Sequence, residues 1–458
     1  MPFIIKTNES YLELEWSDDQ SLQQLNIQNL SENYSYIDVV GPQIDFYYYE
    51  LLKKTQSLHI SGLKIDLSQI KWRIEYVTLV NCICVNNFTT ECIISQLYLD
   101  DAQIQVEQLK NLRINLLNVN VTKNNRFDYF NCHLLHCKQF NQLTLTEQKV
   151  DLDKIQCCWT SIQYDDCVFN GQVNKQAFNH KNISVKITEI TQNNNFDQLD
   201  NIICDQFNLQ VNGSIENGFL NLQLKNLNKQ KRIMSVQIHN SICDLEKIYI
   251  SCQNIQFYNC LLKGDATTYQ SRFSESSIEV KMDQLCKNVD FQALIGINTT
   301  LNIILTHVKA NFNHVLMCKP RLLQIFDCEI NLNELVGNWD ILQINNCQLT
   351  DFVCPQNYCV VSKKLIILDF DYKFCKCFNT KWFILTNTCV DGSFPNVNQL
   401  EIRQSTVNIT HTNNTISHLT LSNVYLKRFS LLNLQKLETI DLNSIQKTKH
   451  LLKLRKWQ

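Results

Sequence analysis

The chain has 458 residues, with 42 basic and 44 acidic side chains and a formal net charge of -2. This near balance leaves no overall field to hold a phosphate backbone or an anionic bilayer, which argues against nucleic acid or a membrane as partner. Hydrophobic residues make up 44% of the chain, but only 9 Gly and 5 Pro are present. We therefore expect Asn, Asp and Ser to serve the turns, because their side chains bond to nearby backbone and tolerate unusual dihedral angles.

The amino-terminal residues Met1-Pro-Phe-Ile-Ile-Lys lack the basic start and apolar core of a secretory signal. No apolar run approaches the length of about 18 residues that a membrane span needs. The 21 cysteines are spread over the whole chain. This combination predicts a cytoplasmic protein in a reducing compartment, with thiols rather than disulfides. Residues 1–45 are predicted to form an amino-terminal cap, since a terminal repeat must cover an open core.

An internal repeat begins after the predicted cap. Four segments align without a gap, and in each a cysteine stands twelve residues after the last apolar residue of the first stretch. The segments begin at Leu58, Leu143, Val236 and Leu323, and the cysteines are Cys82, Cys167, Cys260 and Cys347. Within each segment the pattern apolar, x, apolar, x, x, small or Cys, x, apolar occurs twice, nineteen residues apart. The spacing predicts one strand per repeat.

Further copies of the pattern follow at intervals of about nineteen to the mid-twenties. They begin at Leu97, Leu209, Leu222, Leu301, Leu400 and Leu419. Two apolar residues at a period of two are expected to face inward, while the small residue satisfies backbone groups buried at the bend. Cysteine suits that position because it is small, prefers burial and donates weakly to a carbonyl. The stretch of about 170–208 keeps fragments of the pattern but loses its register.

These residues resemble the leucine-rich repeat family, whose strand motif is L-x-x-L-x-L-x-x-N/C-x-L. The residue three before the strand is also apolar in many copies, as at Ile74 and Trp339, whereas the Asn position holds residues such as Cys82, Ala102 and Thr306. The resemblance implies a β-rich (α/β) solenoid over 46–433, a horseshoe with a parallel sheet on its concave face and an irregular convex side. Residues 434–458, rich in Lys, Arg and Leu, are predicted to form a basic carboxy-terminal capping helix.

The resemblance also implies protein ligands on the concave face. Each strand of the central repeats has two outward positions, which are predicted to form two columns across the sheet. The first column is Gln237, Gln256, Asn302, Gln324 and Gln343, and the second is His239, Tyr258, Ile304, Phe326 and Asn345. Most of these side chains can form hydrogen bonds, but Tyr258, Ile304 and Phe326 make an apolar stripe in the second column. Exposed aromatic and aliphatic residues on a polar face mark interfaces, although ordinary sheet-surface packing explains them equally well. The predicted binding residues are Gln237, His239, Gln256, Tyr258, Asn302, Ile304, Gln324, Phe326, Gln343 and Asn345.

Candidates for metal or catalytic chemistry are weak. Cys132-His-Leu-Leu-His136-Cys137 is the densest cluster of soft ligands, but side chains on a strand and turn diverge instead of converging on a zinc tetrahedron. A lone pair of carboxylates, Asp369 and Asp371, offers fewer oxygens than a cation usually takes. The usual phosphate-binding, serine-hydrolase and zinc-protease motifs do not occur. We therefore expect no cofactor, no metal and no enzymatic activity.

The leading hypothesis is a non-enzymatic scaffold that binds a protein partner on the concave sheet. An alternative is a parallel β-helix enzyme that acts on carbohydrate, which would need carboxylates clustered on one face of successive repeats. Asp100 and Asp165 occupy corresponding positions but lie several repeats apart. A third hypothesis is a self-associating structural array, which the richness in Asn and Gln permits.

Overall fold

The computed structural model describes most of the chain, which folds into two compact units. The first unit is Met1–Asn212 with Gln223–Met234, and the second is Gly213–Leu222 with Ser235–Gln458. The residues that the structure describes are 3–7, 11–16, 34–41, 55–123, 127–155, 159–170, 180–187, 204–212, 219–220, 233–248, 252–264, 277–283, 291–297, 299–308, 312–331, 335–350, 360–369, 378–393, 397–411, 415–429, 438–444 and 446–447.

The first unit is built of long parallel strands, between which the chain makes shorter ones. Its strands are β1 (Phe3–Thr7), β2 (Tyr11–Trp16), β3 (Tyr36–Val40), β4 (Ser57–Ser61), β5 (Lys64–Asp66), β6 (Arg73–Val80), β7 (Ile83–Val85), β8 (Ile93–Asp100), β9 (Arg113–Val121), β10 (Cys137–Thr146), β11 (Lys149–Asp151), β12 (Trp159–Asp165), β13 (Val168–Asn170), β14 (His180–Ile187) and β15 (Cys204–Asn212). The long strands from β2 to β15 pair in parallel, each with the next long strand. Among the described strands of this unit, β1 is the one that runs antiparallel, against β2.

The second unit repeats this arrangement. Its strands are β16 (Phe219–Leu220), β17 (Ile233–His239), β18 (Ile242–Asp244), β19 (Cys252–Tyr258), β20 (Leu261–Lys263), β21 (Ser277–Met282), β22 (Thr300–Thr306), β23 (Leu322–Phe326), β24 (Glu329–Asn331), β25 (Gly337–Asn345), β26 (Gln348–Thr350), β27 (Val360–Leu368), β28 (Phe378–Thr386), β29 (Cys389–Ser393), β30 (Gln399–Arg403), β31 (Thr406–His411), β32 (His418–Ser422), β33 (Tyr425–Phe429), β34 (Thr439–Asn443) and β35 (Gln446–Lys447). The long strands from β19 to β34 pair in parallel in sequence. The predicted β-rich solenoid with parallel strands is thereby confirmed.

Two buried residues on each long strand build the core. Leu58 of β4 pairs with Val77 of β6, and Ile60 pairs with Leu79 two residues further on. All four are at most 1% exposed, whereas His59, between the two core residues of β4, faces away from the core. Each such aliphatic side chain stabilises the fold by about 1.5–3 kcal/mol through burial. Stacking in register repeats this contribution at every strand.

The chain leaves many of the long strands through a corner, which we define as a residue with positive φ followed by a small or apolar buried residue. Positive φ occurs at Asn81 (51°), Asp166 (52°) and Asn259 (52°), among others. Asn and Asp tolerate this left-handed conformation better than other residues with a Cβ. The corner backbone remains hydrogen-bonded, as where Asn81 N donates to Asp100 O at 2.8 Å. The prediction that Asn and Asp serve the turns is confirmed.

The four cysteines of the repeat share one environment at the corner. Each thiol donates to a carbonyl oxygen of the preceding repeat, with Sγ–O distances of 3.2 Å for Cys82, 3.1 Å for Cys167, 3.2 Å for Cys260 and 3.5 Å for Cys347. The predicted weak thiol–carbonyl bond is therefore present. The assignment of Thr306 to this position was wrong, because the corner residue of that repeat is His307 and the buried residue after it is Val308.

After the corner, the chain forms short strands where the family resemblance predicted an irregular side. They pair in parallel as β5 with β7, β11 with β13, β18 with both β16 and β20, β24 with β26, and in the series β29, β31, β33 and β35. A short 3-10 turn follows three of them, at Leu67–Gln69, Leu152–Lys154 and Leu245–Lys247. The α-helices within the described ranges are Val106–Leu109 and Phe312–Met317.

Two further sequence predictions need correction. Within the stretch of about 170–208, the described residues of β14 and β15 keep the register of the repeat, since Ile183 of β14 pairs with both Ile162 of β12 and Phe207 of β15. The core pair of β15 therefore begins at Phe207, two residues before the predicted start at Leu209. The pattern was hidden because the loops before these strands vary in length while the strands themselves stay aligned. The copy predicted at Leu222 lies outside the described residues.

The predicted carboxy-terminal helix is wrong over the part that the structure describes. Residues Thr439–Asn443 and Gln446–Lys447 form strands that continue the long and the short series. Leu442 pairs with Leu421 of β32, yet Leu442 is 40% exposed and Leu421 only 1%. Residues 448–458, which carry Leu451 and Leu452 of the predicted cap, lie outside the described residues.

Candidate functional site

The outward face of the long strands in the second unit carries the predicted binding residues. On β17 and β19, Gln237 Nε2 donates to Gln256 Oε1 at 2.9 Å. The rings of His239 and Tyr258 stack with centroids 4.3 Å apart and an interplanar angle of 5°. These four side chains thus form one contact group, which the alternation of buried and outward residues places away from the core.

The strand that completes this group, β21, was not predicted from the sequence. Glu279 and Lys281 of β21 pair with Gln256 and Tyr258 of β19. Glu279 Oε1 accepts from Gln256 Nε2 at 3.1 Å and lies 3.0 Å from Lys281 Nζ. Lys281 Nζ lies 5.1 Å from the centroid of the Tyr258 ring. We call the six residues Gln237, His239, Gln256, Tyr258, Glu279 and Lys281 the polar cluster.

The missed strand had one usable signal. The segment Ser277–Met282 alternates apolar residues at Ile278, Val280 and Met282, and Ile278 stands 23 residues after its partner Ile255. It begins with Ser instead of Leu, and the small residue that marks other corners does not follow at the usual distance. The segment therefore does not match the pattern that marks the other copies.

The polar groups of Gln256, Tyr258, Glu279 and Lys281 bond within the polar cluster, whereas His239 Nε2 is buried without a hydrogen-bond partner among the described residues. Tyr258 Oη donates to Gln256 Oε1 at 3.0 Å, in addition to the ring contacts with His239 and Lys281. Burial lowers the pKa of His239, so its imidazole is neutral at physiological pH. Glu279 and Lys281 neutralise each other. The cluster therefore offers a partner less net charge and fewer open hydrogen-bonding groups than the sequence suggested.

The predicted columns of outward residues shift by two residues at β22. Asn302 aligns with Glu279 of β21, whereas Ile304 aligns with Lys281 on one side and with Gln324 on the other. Sequence analysis had placed Asn302 and Gln324 in one column. The reason is that β22 buries three alternating residues, Leu301, Ile303 and Leu305. The first two pair with the core pair of β21, whereas the last two pair with the core pair of β23.

Beyond the shift, the remaining predicted residues do lie side by side. Gln324 Nε2 donates to Gln343 Oε1 at 2.7 Å, and Phe326 pairs with Asn345 in the next column. Tyr258 and Phe326 therefore stand in different columns and do not form the single stripe that the sequence suggested. Ile304 is the member of that stripe that lies beside Gln324.

An apolar patch, unpredicted from the sequence, lies on the same outward face over β23, β25, β27 and β28. In one column Leu322 pairs with Ile341, and in the next Ile366 pairs with Ile384. Trp382 is 37% exposed, whereas Ile384, beside it, is only 8% exposed and forms the floor. We define the apolar patch as Leu322, Phe326, Ile341, Ile366, Leu368, Trp382 and Ile384. Trp382 is the exposed member, Ile384 is buried and the other five are half-buried. Asn345 and Lys364 stand between members of the patch in their columns, and Gln343 pairs with the member Ile366.

Basic side chains border this patch at the amino-terminal ends of the strands. Lys364 Nζ lies 3.9 Å from the centroid of the Trp382 ring. Lys363 Nζ lies 2.8 Å from Asp340 Oδ1, and both groups are largely exposed. Arg321 and Lys381 are also exposed, and each stands two residues before the first core residue of its strand, as Lys363 does. We define the basic rim as Arg321, Lys363, Lys364 and Lys381.

The residues weighed as metal ligands do not come together. Cys132 is buried, whereas His133 and His136 are exposed, and Cys137 Sγ donates to Gln139 O at 3.2 Å. Asp369 is a corner residue whose carboxylate accepts a hydrogen bond from Asn387 Nδ2, while Asp371 lies outside the described residues. Within the described ranges, no three His, Cys, Asp or Glu side chains are placed to share a metal ion.

Neither a protein-family model nor a curated protein sequence matches the chain. The described part of the chain holds no helix with the length and apolarity that crossing a bilayer requires.

Proposed function

We propose that the chain is a non-enzymatic scaffold that binds a protein partner on the outward face of the long strands in its second unit. In this proposal the sheet is the concave face of a leucine-rich-repeat-like horseshoe, and the resemblance to that family supports a protein ligand there. The observation that carries the proposal is the apolar patch. Apolar residues that cluster on an otherwise polar sheet face, around an exposed Trp, are typical of protein interfaces.

The patch is a better docking surface than the polar cluster for an energetic reason. A partner at the polar cluster must compete with existing bonds, such as that from Tyr258 to Gln256. At the patch, a partner covers Ile366, Leu368 and Trp382 without breaking a side-chain hydrogen bond. Trp is also the residue type most enriched among residues that dominate binding energy.

The proposal is tested by capture of partners from native cell extract on three forms of the full chain. One is unchanged, one carries Ile366→Ser with Leu368→Ser in the patch, and one carries Thr420→Ala with Ser422→Ala on β32 as a matched control. We expect a specific set of retained proteins that the patch variant loses and the control variant keeps. Equal retention by all three folded forms, checked by circular dichroism, would remove the patch as the binding surface.

A second candidate function, a carbohydrate-active solenoid, is favoured by one observation in the first unit. The carboxylate residues Glu13 of β2 and Asp38 of β3 pair on successive strands. Beside them the rings of Tyr11 and Tyr36 stack at 5.2 Å, and Tyr11 Oη donates to Glu13 Oε2 at 3.0 Å. Adjacent carboxylates with an aromatic platform are what glycoside chemistry uses.

This candidate is tested by incubating the full chain with a panel of polysaccharides and measuring the release of reducing ends. Activity that Glu13→Gln and Asp38→Asn each abolish, with the fold intact, would favour it over the scaffold. Activity equal to that of the buffer across the panel would count against it.

A further inference from the structure

The charges around the apolar patch are distributed unevenly. Arg321, Lys363 and Lys381 each stand two residues before the first core residue of their strands, and Asp340 is the carboxylate in that series. Lys364 adds a further cation in the neighbouring column, where it pairs with Trp382 and lies over the ring of that residue. Lys363 is paired with Asp340 at 2.8 Å, so the net positive charge of this border comes from Arg321, Lys364 and Lys381.

The opposite border of the patch carries the other sign. At the corners that follow β23 and β27 stand Asp327 and Asp369, which accept hydrogen bonds from the corner residues Asn346 and Asn387. A partner that covers the patch therefore meets cations along one side and carboxylates along the other. Complementary charge on the partner would fix its orientation and exclude partners of the wrong sign.

The spacing of the patch suits a helix. Neighbouring strands of a sheet lie about 4.8 Å apart, so the four strands under the patch span roughly 14 Å. An α-helix advances about 5.4 Å per turn, so a helix of about three turns has the length of the patch. A helix laid across the strands would place about one apolar side chain over each strand. A side chain at the flank of that apolar stripe would then lie beside each residue of the basic rim.

We infer that the partner segment bound at the apolar patch is an amphipathic α-helix of about three turns with acidic residues along one side of its apolar stripe. The apolar stripe covers Ile341, Ile366 and Trp382, and the acidic side faces the basic rim, away from Asp327 and Asp369. This inference rests on the proposed function, and it names the chemistry of the ligand.

Single-stranded nucleic acid, which also favours basic and aromatic residues, fits the surface less well. Stacking of successive bases needs a series of aromatic side chains, but between the rim and the corners the patch is mainly aliphatic, with Ile341, Ile366 and Leu368. The carboxylates of Asp327 and Asp369 would also repel phosphates along the second border.

The test uses a phage-displayed library of helical peptides with fixed aliphatic residues at one stripe and random charged residues beside it. Peptides are selected on the full chain, and their affinities are measured by fluorescence anisotropy at low and high salt. The variants are Ile366→Ser with Leu368→Ser, Lys363→Glu with Lys381→Glu, and the remote control Lys110→Glu with Arg113→Glu. Circular dichroism of each variant checks the fold.

We expect the selected peptides to be enriched in Asp and Glu beside the stripe. Reversal of the rim charges should weaken their binding about tenfold or more, with a shallower salt dependence, because charged interface pairs are strong contributors. The patch variant should lose binding, and the remote control should keep it.

Three results would overturn the inference while leaving the proposed function standing. They are equal selection of acidic and basic peptides that still need the patch, bound peptides without helical circular dichroism, and failure to select any peptide although partner capture depends on the patch. Patch-dependent binding of oligouridylate would assign the surface to nucleic acid and overturn both. Selected peptides that bind the patch variant as tightly as the unchanged chain would also overturn both.

Discussion

At the scale of single residues, a corner residue must adopt a left-handed backbone conformation where the chain leaves a long strand. Asn81, Asp166 and Asn259 have φ close to +50°, and Gly62 occupies the equivalent position after β4 with φ of 74°. Asn and Asp adopt this conformation at modest cost because their side chains bond locally. Gly62 differs, since a Cβ built there would lie 2.1 Å from the carbonyl oxygen of Gly41.

The substitution Gly62→Ala should therefore destabilise the first unit. The added methyl group collides with backbone that is itself held by the bond from Gly41 N to Ser61 O at 3.0 Å. We expect a loss of about 1–3 kcal/mol in the free energy of unfolding, measured by urea denaturation.

The matched control is Asn81→Gly, which should be neutral or stabilising because it relieves the left-handed strain. If Gly62→Ala unfolds at the same urea concentration as the unchanged chain, the close approach of Gly41 is not a constraint on the fold.

At the scale of the strand, the inward pair decides stability and the outward residues decide recognition. Ile344 of β25 is 1% exposed and stacks between Ile325 of β23 and Ile367 of β27. Gln343, one residue earlier, faces outward and accepts a hydrogen bond from Gln324. Neighbouring residues of one strand therefore have opposite roles.

This difference predicts contrasting effects of the same charge. Ile344→Asp should destabilise the second unit severely, because an apolar contact worth about 2–5 kcal/mol is lost and an unpaired carboxylate is buried. Gln343→Asp should cost no more than about 1 kcal/mol, since the group stays in solvent and loses a single hydrogen bond.

Equilibrium unfolding followed by circular dichroism measures both variants. Similar unfolding midpoints for Ile344→Asp and Gln343→Asp would contradict the assignment of the two faces of β25.

At the scale of the whole molecule, three of the four cysteines of the repeat, Cys82, Cys167 and Cys347, add a shared dependence on pH. Cys260 differs, because a hydrogen bond with Cys243 lowers the pKa of its thiol. Burial raises the pKa of the thiols of Cys82 and Cys347 from 9.0 to about 11, and that of Cys167 to about 12. An acid whose pKa is raised by folding stabilises the folded state fully below its unfolded pKa. That stabilisation is lost as the pH rises through the folded pKa.

The midpoint of thermal unfolding should therefore fall as the pH rises from about 9 to about 11 in reducing buffer, the window set by the thiols of Cys82 and Cys347. The double variant Cys82→Ala with Cys347→Ala should show a shallower decline. Alanine is a suitable replacement because Ala102 occupies the equivalent corner position and is buried. The same decline in both proteins would show that these thiols do not control it.

The candidate surface was only partly predictable from the sequence. The predicted residues Gln237, Gln256 and Tyr258 do meet on one face, because alternation along a strand is a local property. Glu279 and Lys281 were missed because their strand lacks the Leu and Cys that marked other copies. The apolar patch was missed because Ile341, Ile366 and Trp382 come onto successive strands of one face only through the register of strands whose connecting loops differ in length.

The sequence by itself determined the repeating unit: an inward apolar pair at a period of two, an Asn or Asp corner and a small buried residue after it. Each of these is encoded within a few residues, so spacing alone reveals it. Only the tertiary structure decided which strand follows which in register, where the short strands form, and which outward side chains share a surface. Those properties depend on pairing between residues about twenty positions apart, which the local pattern specifies only loosely.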